Sequence, residues 1–267
     1  MEALDTLLFA GIANSLATLE LKEISPNQIQ SVESPDDLFS QLLNEEAQVG
    51  VCPMTILPLQ LPEGLVVTAL SARYQPGFTL LISKEASDDS KLLNIKEGAT
   101  VGCSSALQMA QLMDFRKDIH SRLTTSWLEG FEQLKEGQLD AVLVPSYAVP
   151  NEYKNTNQTF QFNPREFIPP CGHGLVGYIT KAENKELRRR LKEAHKAESV
   201  EVNNLERKFR ELVPESLHPQ VGVYCYIDAN DFYHGNAVRI SDGNVQYAQF
   251  SSGTTGGFSD ELWKRLF

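Results

Sequence analysis

The chain has 267 residues, of which 42% are hydrophobic and 22% charged, with 24 Lys and Arg against 35 Asp and Glu and a formal net charge of −11 at pH 7. That composition fits a folded protein of two or three small domains and excludes an extended disordered chain. The acidic balance, with no region that concentrates Lys and Arg, argues against a nucleic-acid partner, because neutralising phosphates needs clustered cations.

The start, Met1 to Ala10, carries Glu2 and Asp5 without a basic flank, and no apolar run near it approaches the ~18 residues of a membrane span. A cytoplasmic protein that does not engage membranes is expected. Cys52, Cys103, Cys171 and Cys225 are widely spaced and form no CxxC pair. Neither a zinc ribbon nor a redox dithiol is expected, no metal site is assigned, and in a reducing compartment the four should be free thiols.

Ser34-Pro35-Asp36-Asp37 predicts a helix start, with a capping hydroxyl, proline at the first helical position and acids at the positive end. Leu38, Leu42 and Leu43 are its expected buried stripe, and it should stop near Asn44. Ala47 to Cys52 reads as a short buried strand ending at Pro53, Leu65 to Leu70 as a second and Thr79 to Ser83 as a third. Polar Ser87-Asp88-Asp89-Ser90 then reads as a crossing between domains.

A new series follows. Thr100 to Cys103 predicts a strand, Ser104-Ser105 a turn and cap, Ala106 to Met113 a helix and Ile119 to Leu123 a strand. Trp127, Phe131 and Leu134 mark a helix ending at Gly137, in front of a buried strand over Asp140 to Val144. Such alternation implies parallel sheets with right-handed crossovers. Past a polar loop at Asn151 to Gln158 lies Pro169-Pro170-Cys171-Gly172-His173-Gly174, then a strand over Leu175 to Thr180 and two charged helices. The first of these, Lys185 to Ala197, carries Arg188, Arg189 and Arg190 on what should be a solvated face. From Val221 onward, strands VGVYCYI, NAVRIS and VQYAQF, a hairpin turn at Asp242-Gly243 and a terminal helix after Ser259 predict a separate α+β module. Ser251 to Gly257 is Gly-rich but lacks the lysine of a phosphate-binding loop and reads as a turn.

Gly98-Ala-Thr-Val-Gly-Cys-Ser-Ser-Ala-Leu-Gln-Met-Ala-Gln-Leu112 closely resembles GxxVGTSSLRRxAQL, a stretch of the hydroxymethylbilane synthase (porphobilinogen deaminase) family. Leu61-Pro62-Glu63-Gly64-Leu65, Pro170-Cys171-Gly172-His173-Gly174 (resembling AVGQG) and Leu205-Glu206-Arg207-Lys208-Phe209 (resembling AERAF) follow in the family's order. A weaker echo of GTRGSxLAL lies at Gly11 to Ala17, and the resemblance covers roughly residues 45 to 250. It implies an α/β fold of two periplasmic-binding-protein-like lobes with a cleft between them, plus a small C-terminal α+β domain. The corresponding boundaries are 1–80 with 168–185 for domain 1, 81–167 for domain 2 and 186–267 for domain 3.

The family extends a linear tetrapyrrole on a dipyrromethane group held by a cysteine thioether, and its arginines face the pyrrole carboxylates. At the positions this resemblance aligns, the arginines of SLRR are Leu107 and Gln108, that of GTR is Ala13, that of RGN is Thr124 and that of NTR is Gly130. The lysine and catalytic aspartate of VHSLKDVP fall on Thr55 and Ile56, and the cofactor-bearing cysteine on Leu217. The resemblance therefore implies a homologue that is catalytically inactive and carries no dipyrromethane. It would act as a monomer that binds a small-molecule ligand in the interdomain cleft, or a protein partner, within tetrapyrrole biosynthesis. Thr55, Ser104, Ser105, Gln108, Thr124 and His173 are the candidate ligand-binding residues. Ser104 and Ser105 precede a helix, where free N–H groups can hold an anion or the hydroxyls can act as caps alone. The alternative is an active hydroxymethylbilane synthase with displaced catalytic residues.

Overall fold

A computed structural model describes residues 7–24, 29–154, 156, 158–241 and 243–267. The first stretch runs β1 (Phe9–Ile12), α1 (Leu16–Ile24), β2 (Ile29–Val32), α2 (Pro35–Leu43), β3 (Val49–Pro53) and β4 (Leu65–Leu70). Next come β5 (Phe78–Ile82), β6 (Thr100–Cys103), α3 (Ala106–Phe115), β7 (His120–Leu123), α4 (Trp127–Lys135), β8 (Ala141–Pro145) and β9 (Thr159–Gln161). The chain continues with β10 (Val176–Lys181), α5 (Lys185–Arg190) and α6 (Ala197–Leu212), and ends with β11 (Val221–Ile227), β12 (Tyr233–Ser241), β13 (Asn244–Ser252) and α7 (Phe258–Leu266).

Two compact units result, Met1–Tyr74 with Cys171–Arg207, and Gln75–Pro170 with Lys208–Phe267. The family resemblance implies three domains, with boundaries near residues 81, 168 and 186. The first unit holds a five-stranded sheet in the order β2-β1-β3-β10-β4. The second holds a five-stranded sheet ordered β7-β6-β8-β5-β9 and the antiparallel three-stranded sheet β11-β12-β13. The fold is therefore mixed α/β with two sheet-containing lobes and a small C-terminal sheet carrying α7.

The five-stranded sheets are not purely parallel, as the alternation of strands and helices predicts. In the first, β1 runs parallel to β2 and β3, but β10 is antiparallel to β3 and β4. In the second, β6 is parallel to β7 and β8, but β5 is antiparallel to β8 and β9. The strands β5 and β10 are those that enter a sheet after the chain has crossed from the other unit, without the crossover helix that parallel pairing requires.

Burial explains the central strands. All five residues of β3, β5 and β8 are buried, so these strands read as continuous apolar runs. In α2, Ser34 Oγ accepts from the Asp37 N–H and Leu38, Phe39 and Leu42 are buried. Leu43, expected in that stripe, is 41% exposed because it lies a further step round the helix, and Phe39 takes its place. The charged helix predicted over 185–197 breaks after Arg190 into a 3₁₀ turn at Leu191–Glu193. The Lys196 N–H is bonded to the carbonyl of Leu70 at 3.1 Å, which pins the chain to β4 between two helices.

Arg189 is solvated and pairs with Glu186 one turn away. The terminal helix, expected after Ser259, already starts at Phe258, and buries Phe258, Leu262 and Leu266. Asp242 of the predicted hairpin lies outside the described residues, while Gly243 has the positive φ that the turn needs. No described helix is long and apolar enough to cross a membrane.

Candidate functional site

In the second unit the predicted residues gather at the carboxyl end of β6. Ser105 caps α3, its Oγ accepting from the Gln108 N–H at 3.2 Å. The Gln108 side chain turns back, and its Oε1 accepts from the Ser104 N–H at 2.8 Å and the Ser104 hydroxyl at 3.1 Å. This is a variant of the capping box: the cap and the third helical residue bond each other's end of the turn, but Gln108 reaches the N–H of the residue before the cap rather than that of the cap itself. Of the N–H groups expected to stand open to an anion at Ser104 and Ser105, that of Ser104 is therefore already bonded within the chain. Gln108 is 6% exposed, and Leu107 packs with Ile168 and Val238.

One strand over, Thr124 is buried and its hydroxyl donates to the carbonyls of Cys103 at 3.3 Å and Ser126 at 3.0 Å. Gly130, on α4, is buried against the same place. A Cβ added there would sit 2.6 Å from Val142 Cγ2, closer than packed atoms tolerate, and in contact with Thr124 Oγ1 at 3.4 Å. Strand and helix close over this position, so a side chain there would require Val142 to shift.

Basic side chains of this stretch are engaged elsewhere. Arg116 stands at the far end of α3, roughly 15 Å along the helix from Ser105, where its guanidinium meets Asp118 and the carbonyls of Leu92 and Ile95. Arg122 donates to Gln133 Oε1 and to the Gln138 carbonyl, and Lys135 to Glu132. Leu217 sits half-buried in the 3₁₀ turn Glu215–Gln220, a hydrocarbon side chain with no nucleophilic atom.

The other two predicted residues, Thr55 and His173, belong to the first unit. Thr55 is half-buried in the turn after β3, and Ile56 beside it is 48% exposed. His173 is buried in a loop whose Gly172 and Gly174 have φ of 75° and 78°. That loop is held by a residue whose part in it the sequence reading misses. Fully buried Glu206 accepts from the Gly172 N–H at 2.8 Å through one oxygen and from Arg73 at 2.8 Å through the other. The Leu205-to-Phe209 motif is visible in the sequence, but a separation of 34 positions from Gly172 to Glu206 hides their pairing.

Among the described residues, no three His, Cys, Asp or Glu side chains come together as a metal would need. The four cysteines are buried, and none forms a disulfide among the described residues. Burial pushes the Cys52 and Cys103 thiols up to about 12, so at pH 8 the thiolate fraction is on the order of 10⁻⁴. Native protein at pH 8 should therefore leave both unlabelled by a disulfide-exchange reagent over minutes, and all four cysteines should react once urea unfolds the chain. Peptide mapping that finds Cys52 or Cys103 modified in the native state would contradict this burial.

The chain is distantly similar to solved binding proteins. An arginine-specific periplasmic binding protein of Salmonella typhimurium is 15% identical with a TM-score of 0.40, covering 70% of this chain and 90% of that one. A methionine-binding lipoprotein of Bacillus subtilis, itself only putatively assigned, is 10% identical with a TM-score of 0.46, covering 72% and 91%. Sequence relatives are nearer. The porphobilinogen deaminase of Francisella philomiragia is 28% identical over 209 residues, which is 78% of this chain and 68% of that protein. That of Francisella tularensis subsp. novicida matches at 28% with the same coverage. The sequence pattern of the family described as porphobilinogen deaminase, dipyromethane cofactor binding domain, matches residues 34–189, more than half of the chain. By that match, this chain belongs to the porphobilinogen deaminase family.

Proposed function

We propose that the chain is a non-catalytic member of its family that binds a small ligand of low charge, or a protein partner, in the setting of tetrapyrrole biosynthesis. The observation that carries this reading is the packing at the aligned arginine positions. Gln108 is consumed as a helix cap, Leu107 faces the cluster of Ile168 and Val238, Thr124 is bonded to two carbonyls, and a side chain at Gly130 would run into Val142. These are finished contacts of a folded interior and leave no cationic surface there.

The dipyrromethane group that the family description implies does not fit these residues. Leu217 offers no thiol for a thioether, and the pyrrole carboxylates would meet neutral groups. Each charge-assisted hydrogen bond forgone withholds about 1.5–3 kcal/mol, so losing two weakens binding by about two to four orders of magnitude. In this reading Ser104, Ser105, Thr55 and His173 touch the ligand, with Gln108 and Thr124 framing it, and the protein works as a cytoplasmic monomer.

Intact-mass spectrometry and a porphobilinogen consumption assay on the purified full chain test the proposal. The expected outcome is the mass of the bare polypeptide and no consumption above the protein-free control. Formation of hydroxymethylbilane that is lost on substituting Ser104 would overturn it in favour of displaced catalysis.

A further inference from the structure

Across the C-terminal sheet, Tyr226 of β11, His234 of β12 and Ser251 of β13 stand in direct register, which puts their side chains in one row on one face. His234 Nδ1 lies 2.7 Å from Ser251 Oγ, and its Nε2 lies 2.9 Å from Asp228 Oδ2. The imidazole also stacks on the Tyr226 ring, with centroids 4.8 Å apart and planes 16° from parallel. Asp228 is held by the turn between β11 and β12. Its Oδ1 accepts from the N–H groups of Asn230 at 2.8 Å and Phe232 at 3.0 Å, while Oδ2 faces the ring. All of these residues lie in the second unit.

The contacts decide where the protons sit. Bonds from His234 and from the Phe232 and Asn230 N–H groups hold the Asp228 carboxyl below its ordinary range, so at neutral pH it is a carboxylate and can only accept. Nε2 must then carry the ring proton. A neutral imidazole protonated there presents a lone pair at Nδ1, which leaves the Ser251 hydroxyl as the donor. Nucleophile, base and orienting carboxylate thus stand in the order that acyl transfer to serine uses. Stability gains little from the arrangement. Ser251 is exposed and the His234 and Asp228 side chains are 24% and 32% exposed, so water would serve each group nearly as well.

We propose that Ser251 is a nucleophile that takes the acyl group of small aryl esters, with His234 as its base and Asp228 as the residue that positions the ring. Oγ bonds to the ester's carbonyl carbon as its proton passes to Nδ1; the aryl oxide departs with that proton, giving a phenol and an acylated serine. Water then gives a proton to Nδ1 as its oxygen bonds to the acyl carbon, and Ser251 leaves with the proton, releasing a carboxylic acid. β13 is the edge strand of its sheet, so an ester reaches Ser251 from solvent. An open edge favours esters over amides, because a phenol leaves with less assistance than an amine. None of these residues is aligned with the family's reaction, so the proposal is independent of whether that reaction is lost.

The test treats the full chain with 4-nitrophenyl acetate at pH 8, follows nitrophenolate release, and maps the acetyl group by peptide mass spectrometry after an acid quench. Release should exceed that from the urea-unfolded chain, and the acetyl group should be found on Ser251. Ser251→Ala should abolish the excess release, while Ser252→Ala leaves it unchanged. His234→Gln should slow acetylation of Ser251 by about a hundredfold or more, the range for loss of a general base. Asp228→Asn keeps an oxygen for the turn but points an amide N–H at Nε2. It should slow acetylation by roughly tenfold or more and, in long-range proton–nitrogen NMR spectra, move the proton of neutral His234 from Nε2 to Nδ1. Acetyl mapped to lysines, other serines or His234 but not to Ser251 would overturn the proposal, as would release that Ser251→Ala or His234→Gln leaves unchanged. Should a variant fail to fold, the acetyl map of the unmodified chain still decides it.

Discussion

Replacing Glu206 by alanine is expected to destabilise the protein by about 3–5 kcal/mol, the range found when one partner of a buried ion pair is removed. Two groups lose their acceptor at once: the Arg73 guanidinium, 12% exposed, and the Gly172 N–H in the His173 loop. The pair is worth less than that figure when intact, since both charges were desolvated to form it. The penalty comes from leaving Arg73 buried without this carboxylate. At about 2–4 °C per kcal/mol for a chain of this size, Tm should fall by roughly 6–20 °C. Glu206→Gln, which retains an acceptor for Gly172, should lose distinctly less. Calorimetry showing a shift of under about 2 °C for the alanine variant would mean that the loop and Arg73 hold without it.

Restoring the family's arginine at position 130 should damage the protein rather than repair it. Any Cβ there meets Val142 at 2.6 Å, and overpacking of this sort costs about 1–3 kcal/mol, more when a long charged side chain must also leave the interior. Gly130→Arg is therefore expected to lower Tm by several degrees and to add nothing to porphobilinogen binding. Val142→Ala combined with it should recover part of the loss, a coupling that single variants cannot show. If Gly130→Arg kept the original Tm and gained salt-sensitive binding of porphobilinogen, the packing at α4 would have to be looser than described, and the non-catalytic reading would weaken with it.

Local chemistry made much of the fold legible. The Ser34-Pro35 start of α2, the Ser105 cap of α3 and the buried runs of β3 and β8 each depend on a few adjacent residues, and each lies where the sequence places it. Strand direction did not, because the antiparallel pairing of β10 with β3 joins segments more than a hundred residues apart. Short β9 lacks the length and alternation that would have marked it after the polar loop. At the candidate site, the Ser-x-x-Gln spacing from Ser105 to Gln108 already carries the signal of a capping box, and its partner Ser104 needed only that reading. Asn203 and Glu206 lie on one charged helix and look solvent-facing in sequence, since nothing local says which side of α6 is covered.

The position of β10 also fixes the order in which the molecule can be assembled as it is synthesised. β4 pairs, among the described strands, with β10 alone, and β3 has β10 on its other side. Both strands have left the ribosome long before Val176 is translated, whereas every strand of the second five-stranded sheet is complete by Gln161. During that interval the amino-terminal segment carries two unpaired strand edges, and such edges invite pairing with other chains. The nascent polypeptide thus finishes its inserted sheet first and depends, for closing the one it began with, on a strand synthesised a hundred residues later.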